Sequence, residues 1–410
     1  MSAQPIPVAD HLARILEAVE PLPVRDIGLM DALGMPIAED VSAAVALPGF
    51  DNSAMDGYAV TFNDVADARP DRPIHLPVVG EIAAGQPGLM AIAPGTAAKI
   101  MTGAPIPAGC DAVVPYEWTD RGVGQVRIEQ APTQGQHIRH AGEDVEEGEV
   151  VVSAGTVLGE RHLGLLAAVG RAEVRSRPRP RVVVMSTGSE LRPPGARLEP
   201  GTIHDANSYL LAAAVRAAGG IAYRAAPVDD DPATFAEALS DQLVRADLVV
   251  TSGGVSAGDY DVVKEALSAD LWFGGVAMQP GKPQGFGLLG EDRVPVFTLP
   301  GNSVSAYVSF QVFVLPALRK LQGRTPHEPP LRTAKLTHGV SSPEGRQQYL
   351  RATYEASTVS PVGGHGSHLI GDLAASNALV VVPPEVTRLA PGDTVQVMLL
   401  DRGGLPGGGA

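Results

Sequence analysis

The sequence predicts a multidomain protein of the α/β plus β class: a central α/β domain on a mostly parallel sheet, an inserted small β module and a C-terminal β domain. Three observations carry this. Between about 181 and 324, short apolar strands alternate with helical patterns, the signature of βαβ units. Residues 48–145, and again those from 330, show short alternating strands broken by Gly, Pro and Asp. Within the regular part, DLVVTSGGVSAGDYD (247–261) drives a β-branched run into a glycine pair. Such a run suits a strand covered on both faces, and ligands of open α/β sheets sit beyond the carboxyl ends of the strands. Gly253 and Gly254 permit tight turning or close approach to a ligand, and Ser256, Asp259 and Asp261 follow with hydroxyl and carboxylate groups.

In chain order, Val8, Leu12, Ile15, Leu16 and Val19 share one helical face, and Pro21 and Pro23 end that helix. Residues 24–47 show no firm pattern. Strands are expected at 74–79 and 125–128, then a strand and a helix near 161–169. The expected division is 1–47 with 146–177 as a discontinuous N-terminal domain, 48–145 as the β insertion, 178–326 as the α/β domain, 327–402 as the C-terminal β domain and 403–410 as a disordered tail. RSRPRPR (175–181) reads as a semi-rigid linker rather than a basic binding patch.

A strand at 182–186 turns at Thr187–Gly188, and a helix over 206–218 stops at Gly219–Gly220. A strand at 221–225 precedes a helix opened by Asp231 as cap with Pro232 behind it. After the strand at 247–251, one at 294–299 leads through Pro300, Gly301 and Asn302 into a helix from Ser303. Further strands are expected at 379–382 and 394–400.

Composition narrows the function. Hydrophobic residues at 44% suffice for real cores, but aromatics at 4% leave those cores to Ala, Val and Leu. A net charge of −15 argues against non-specific nucleic-acid binding and against an anionic membrane surface. A single cysteine, Cys110, excludes an internal disulfide and a cysteine-rich zinc site. The N-terminus carries no signal-peptide pattern, and the most apolar helix, 304–318, is too short to span a bilayer. A soluble, cytoplasmic protein is expected.

Three strand ends share one design: VVVMSTGSE (182–190), LVVTSGGVS (248–256) and VFTLPGNSVS (296–305). Each delivers glycine and small residues, including Gly188, Ser252 and Gly253, where helix N-termini and free N–H groups favour anions. Three such turns in one sheet point to a phosphate-bearing ligand. Neither a P-loop nor a GxGxxG fingerprint fits the glycine spacing, which sets aside ordinary ATPases and dinucleotide dehydrogenases. Carboxylates surround the turns: Asp56, Asp144, Glu190, Asp205, Asp230 and Asp261. Singly, most read as caps, solvated turns or loop acids bonded to their own backbone, as for Asp51 and Asp56. Together, carboxylates beside phosphate-binding turns suit Mg²⁺, which takes one or two carboxylates plus substrate oxygens and would offset the acidic charge. The cationic candidates are Lys99, Lys282 in MQPGKPQGFG and Arg351. His365 and His368 in GGHGSH lack a third metal ligand, so that loop reads as a glycine turn whose Ser367 bonds an anion.

Several stretches resemble one family. FDNSAMDGYAV (50–60), IMTGAPIPAGCDAVVPYE (100–117), IRHAGEDV (138–145), STGSEL (186–191), SGGVSAGDYD (252–261), MQPGKPQGFG (278–287), LPGNSVSA (299–306) and GHGSH (364–368) are similar to the molybdopterin molybdenumtransferases, the MoeA-type family that includes the gephyrin E domain. The matches run in order across nearly the whole chain. The resemblance implies four subdomains, a homodimer with the active cleft shared between subunits, and insertion of molybdenum from molybdate into adenylylated molybdopterin with Mg²⁺ and release of AMP. It implies that a molybdopterin adenylyltransferase delivers the substrate. Functional positions fall on Asp56, Thr102, Asp144, Glu190, Asp230, Asp261 and Arg351, with Pro300 and Ser367 also matching. Two departures stand out: some members carry lysines where Gly275 and Gln279 stand, and Ser303 replaces a proline.

The residues themselves suggest positioning chemistry. Gly253, Gly254 and Ser256, with Gly188, Ser252, Pro300, Gly301, Asn302 and Lys282, are expected to hold pterin and phosphates. Glu190 and Asp261 are the expected metal-side acids, and Arg351 and Ser367 the expected anion contacts, so that proximity carries much of the rate. Rival readings are a non-catalytic dimeric scaffold and a CinA-like pterin or nucleotide hydrolase. The β modules argue against the second.

Overall fold

The structure is a computed structural model describing residues 4–85, 91–228, 231–254 and 261–400. They group into two compact units, residues 1–39, 154–160 and 173–410, and residues 40–153 and 161–172.

The first unit is built on a six-stranded sheet. Its order is Ile221–Arg224, Arg181–Ser186, Leu248–Ser252, Val294–Leu299, Pro283–Leu289 and Trp272–Gly275. The first four run parallel; Pro283–Leu289 runs against them, and Trp272–Gly275, antiparallel to it, returns to their direction. Side chains alternate across the sheet, and both faces are covered. Val182, Val184, Leu248 and Val250 enter one core with Leu211, Phe297 and Phe313. Val183, Met185 and Val249 enter the other with Phe235 and Leu239. A strand sandwiched this way has no face left for polar residues, which is why these runs are continuously apolar.

The helices fall where their signals place them. Asp231 accepts a 2.7 Å bond from Thr234 N and caps Pro232–Leu243. Gly219 takes φ +83° just beyond Asn207–Ala217. The helix from Ser303 accommodates Pro316 by widening to a π-turn over Phe310–Val314 before continuing to Leu321. The N-terminal helix Val8–Ala18 buries Val8, Leu12 and Ile15 as its spacing demands. It also buries His11, whose ring lies 4.8 Å from both Trp272 and Phe313.

RSRPRPR is not a linker. Its start belongs to the strand Glu173–Ser176, which pairs with Arg25–Gly28. Arg177 then donates to Leu22 O, Arg179 to Leu33 O at 2.8 Å, and Arg181 makes a two-pronged pair with Asp247. The arginines satisfy carbonyls of the N-terminal segment, a role that composition alone does not reveal.

The C-terminal strands Gln347–Glu355, Thr358–Pro361, Leu331–Leu336, Thr394–Leu399 and Ala378–Val382 close on themselves through pairing of the first with the last. Closure leaves this small barrel without free edges. The predicted tail, 403–410, lies outside the described residues.

The second unit carries a five-stranded sheet ordered Ala112–Pro115, Gly57–Val60, Ala97–Ile100, Ile74–Ile82 and Gln125–Ile128. Gly57 sits where a Cβ would collide with the Val114 carbonyl of the adjacent strand. Only glycine lets the strand that follows Asp56 lie so close to its neighbour. Among the described residues no helix is long and apolar enough to cross a membrane.

Candidate active site

In the first unit, the turns after Ser186, Ser252 and Leu299 stand side by side at the carboxyl ends of adjacent parallel strands. They are tied to one another. Thr187 N donates to Ser252 O at 3.2 Å and Gly253 N to Leu299 O at 3.1 Å, while Gly188 N donates to Val228 O, beyond the strand Ile221–Arg224, at 3.3 Å. Gly253, at φ +97°, lies so close to Thr187 that a side chain there would strike its carbonyl and hydroxyl oxygens. Adjacent Gly301 faces the Cα of Gly253. The three motifs thus form one surface of backbone.

Beneath that surface lies a polar layer joining Asp205 and Ser252, to which the sequence pointed, with Ser186, Asn207 and Ser208, to which it assigned no role. Buried Asp205 accepts from Ser208 N at 3.0 Å and from Ser186 Oγ at 3.1 Å, and Ser186 Oγ lies 3.2 Å from Ser252 Oγ. Asn207 donates from Nδ2 to Gly301 O at 2.6 Å, while its Oδ1 is buried without a hydrogen-bond partner. The DAN triplet just before an apolar helix face was the available signal: its polar residues point back at the strand ends.

The PGN turn is held from its other side by the barrel loop. Asn302 Nδ2 donates to Ser367 Oγ at 2.9 Å, and Val304 N donates to Ser367 O at 3.2 Å. These bonds fix the turn that Ser303, lacking the ring of a proline, does not rigidify by itself. Pro300 is buried, whereas Gly301 and Asn302 are exposed. Arg351 is 5% exposed and its guanidinium donates to the carbonyls of Gly364 and Gly366, the latter at 2.9 Å, with Asp372 4.0 Å away. Arg351 therefore organises the GHGSH loop from behind. His365 Nδ1 is 3.0 Å from Nε2 of buried Gln348, so the histidine is seated by an amide.

Glu190 is exposed, and its carboxylate lies against the Cα of Gly188. Asp261 is half-buried at the start of the helix Val262–Leu267. Gly254 packs against Val263 of the same helix. Lys282 is exposed, and its side chain runs across Gly275. Asp230 and Ser256, like Asp259, lie outside the described residues. Among the described residues no three His, Cys, Asp or Glu side chains converge on a point.

In the second unit, Asp56 and Thr102 meet. Asp56 Oδ1 accepts from Thr102 N at 2.7 Å and from Thr102 Oγ1 at 2.8 Å. Those two bonds hold the Asp56 carboxyl below the ordinary carboxylate range. Asp51 accepts from Ala141 N at 2.8 Å and lies 3.2 Å from His140 Nδ1, which lowers it likewise. Neither acid bonds its own loop, contrary to the expectation for Asp51 and Asp56. Both clamp segments 46 or more residues away in the chain. Exposed Asp144 donates its N–H to Leu47 O at 2.9 Å, leaving its carboxylate to solvent.

A largely parallel sheet with glycine turns gathered at its carboxyl edge defines an α/β ligand-binding protein whose ligand lies beyond the strand ends. The MoeA N-terminal region (domain I and II) matches residues 6–170, a probable molybdopterin binding domain matches 183–320, and the MoeA C-terminal region (domain IV) matches 333–400. The chain is 46% identical over 396 residues to molybdopterin molybdenumtransferase 2 of Mycobacterium tuberculosis, covering 94% of this chain and 96% of that one. Molybdopterin molybdenumtransferase 1 of the same organism is 39% identical over 428 residues, covering 97% and 99%. The crystal structure of a molybdopterin biosynthesis MoeA protein from Pyrococcus horikoshii superposes with a TM-score of 0.83 at 31% identity, covering 97% of this chain and all of that one. The chain belongs to the MoeA family.

Proposed function

We propose that this protein is a molybdopterin molybdenumtransferase of molybdenum cofactor biosynthesis, and that it inserts molybdenum from molybdate into adenylylated molybdopterin with release of AMP. The observation that carries the site is the gathering of the Gly188, Gly253 and Gly301 turns at one sheet edge, latched to the barrel loop by Asn302 and Ser367. Full-length similarity to named molybdopterin molybdenumtransferases supports the reaction.

The turns place glycine backbone at an open edge, where the phosphate bridge of a nucleotidyl substrate can approach closely. Gly188, Ser252, Gly253 and Gly254 form the cradle, with Asn207 and Asp205 fixing its floor; Ser256, expected to join them, lies outside the described residues. Ser367 and Lys282 supply a hydroxyl and an ammonium for the oxyanion, and Arg351 holds the loop that presents Ser367. Glu190 and Asp261 are hard oxygen donors beside the turns, and their number suits Mg²⁺, which takes one or two carboxylates and completes its shell with substrate oxygens. When bound there, Mg²⁺ supplies Lewis acidity to the phosphates. Asp56, kept ionised by Thr102, and Asp144 are the acids that the second unit offers, and Asp230 is a further acid of the first. We infer a cytoplasmic homodimer in which one subunit's acids complete its partner's cleft, supplied by a molybdopterin adenylyltransferase.

The test is to incubate the protein with adenylylated molybdopterin, molybdate and Mg²⁺, and to measure AMP together with active cofactor. Both products are expected. AMP without molybdenum insertion would mark a hydrolase, and binding without either product a scaffold. Replacing Asp261 by Asn is expected to abolish insertion, and unchanged activity with unchanged Mg²⁺ dependence removes Asp261 from the mechanism.

A further inference from the structure

At the opposite end of the sheet from the glycine turns lies a cavity of about 690 Å³. It opens where the strands begin, beside Arg181, Ile221 and Asp247, and is walled by the N-terminal segment. Its volume is that of a small-molecule pocket. The lining divides cleanly by chemistry. Leu22, Ile27 and Met35 make an apolar floor, and Met30, 79% exposed, stands at the rim with Ile221, 42% exposed. Met30 and Ile221 thus continue the apolar floor out to the cavity mouth.

The charges are unbalanced. Three arginines line the cavity, Arg25, Arg179 and Arg181, against Asp31 and Asp247. Asp247 is fully engaged by Arg181, through bonds of 3.1 and 2.8 Å. That leaves Arg25 and Arg179 facing the single carboxylate of Asp31. Behind the wall, two more guanidiniums add to the excess. Arg319 and Arg324 bond only to carbonyl oxygens among their described hydrogen bonds, those of Pro326, Glu328 and Gly34. The Nε of Arg324 is buried with no hydrogen-bond partner. Arg179 and Arg319 both push the charged form of Arg324 down, after burial itself. Half-buried like charges repel, and an anion bound beside Arg179 would offset that repulsion. The arginines of the 175–181 segment thus do more than fasten the N-terminal segment.

We propose that this cavity binds a small organic anion with an apolar body, its acidic group toward Arg25 and Arg179 and its apolar part on Met30, Met35 and Ile221. The site is separate from the strand-end turns and does not depend on the reaction assigned to them.

The experiment uses the full-length chain and 8-anilinonaphthalene-1-sulfonate, a probe with an aromatic body and one sulfonate. Saturable fluorescence enhancement with one probe per chain is expected. Arg25→Glu and Met30→Asp, both at exposed positions and each checked by an unchanged thermal midpoint, are each expected to weaken binding tenfold or more. Ser367→Ala, at the strand-end site, is expected to leave it unchanged. Unsaturable binding, equal affinity in wild type and both cavity variants, or loss of binding in Ser367→Ala would each overturn the proposal.

Discussion

Asp56 and Thr102 are joined twice, by the Thr102 amide at 2.7 Å and its hydroxyl at 2.8 Å, both on the same carboxylate oxygen. The SAMDGY and MTGAP motifs are therefore two halves of one acid site. Thr102→Val keeps the amide bond and removes the hydroxyl. The Asp56 pKa is expected to move up toward the ordinary carboxylate value, as read by carboxyl-carbon NMR titration, with slower molybdenum insertion. An unmoved Asp56 titration would show that the hydroxyl has no hold on the acid.

The pH dependence of that pair has a definite sign. Asp56 and Asp51 both have folded pKa values depressed below 3.8. The stability they contribute is present above the ordinary carboxylate pKa and is lost as pH falls through the lower folded value. Both are solvent-exposed, so the contribution is small. Asp51→Asn and Asp56→Asn are accordingly expected to change thermal midpoints little at pH 7 and to flatten what dependence exists below about pH 4.

His11 behaves oppositely to an ion-paired histidine. Packed between Trp272 and Phe313, it has its pKa lowered by burial, and by Arg14, from 6.5 to about 4. The folded state holds it neutral while the unfolded chain binds a proton. Stability is full above pH 6.5 and falls as pH drops from there toward 4. The loss by pH 4.5 is about 2–3 kcal/mol. Urea midpoints at pH 7 and 4.5 measure it, and His11→Phe is expected to remove that portion of the acid sensitivity.

Arg351 supplies a prediction about loop geometry. Arg351→Lys offers a point charge in place of a planar fork and cannot reach the Gly364 and Gly366 carbonyls together. Leaving one buried acceptor unmet costs about 1–3 kcal/mol. A lower thermal midpoint is expected, with a raised KM for molybdate as Ser367 shifts. Unchanged KM alongside reduced stability would confine Arg351 to folding.

Gly57→Ala tests the close approach of strands beside Asp56. The added methyl meets the Val114 carbonyl, and the strands must part. Destabilisation of about 2–4 kcal/mol is expected, at the upper end of single substitutions. A midpoint within a degree of wild type would show that the sheet relaxes freely there.

Much of the fold was legible because its signals are local. Continuous apolar runs at 182–186 and 248–252 announced strands buried on both faces, and Asp231–Pro232 and Gly219 announced helix ends. The glycine turns and the acids Asp56, Asp144, Glu190 and Asp261 were likewise visible in the chain order. Pairing across long separations was not. The partners of Asp56 at Thr102 and of Asp51 at His140 and Ala141 lie 46 to 90 residues away, and nothing in the local pattern fixes such contacts. The same holds for Ser186 with Ser252, which meet only because their two strands stand side by side. RSRPRPR shows the limit most plainly. Its composition is that of a linker, yet its arginines are held by carbonyls and a carboxylate brought to them by the rest of the fold. Sequence by itself determined most strands, helices and turns, though not the paired strands Arg25–Gly28 and Glu173–Ser176, because those it determined depend on backbone preference and on the period of apolar residues. Tertiary structure alone decided which polar groups face one another, because a hydrogen bond depends on distance in space and not on distance along the chain.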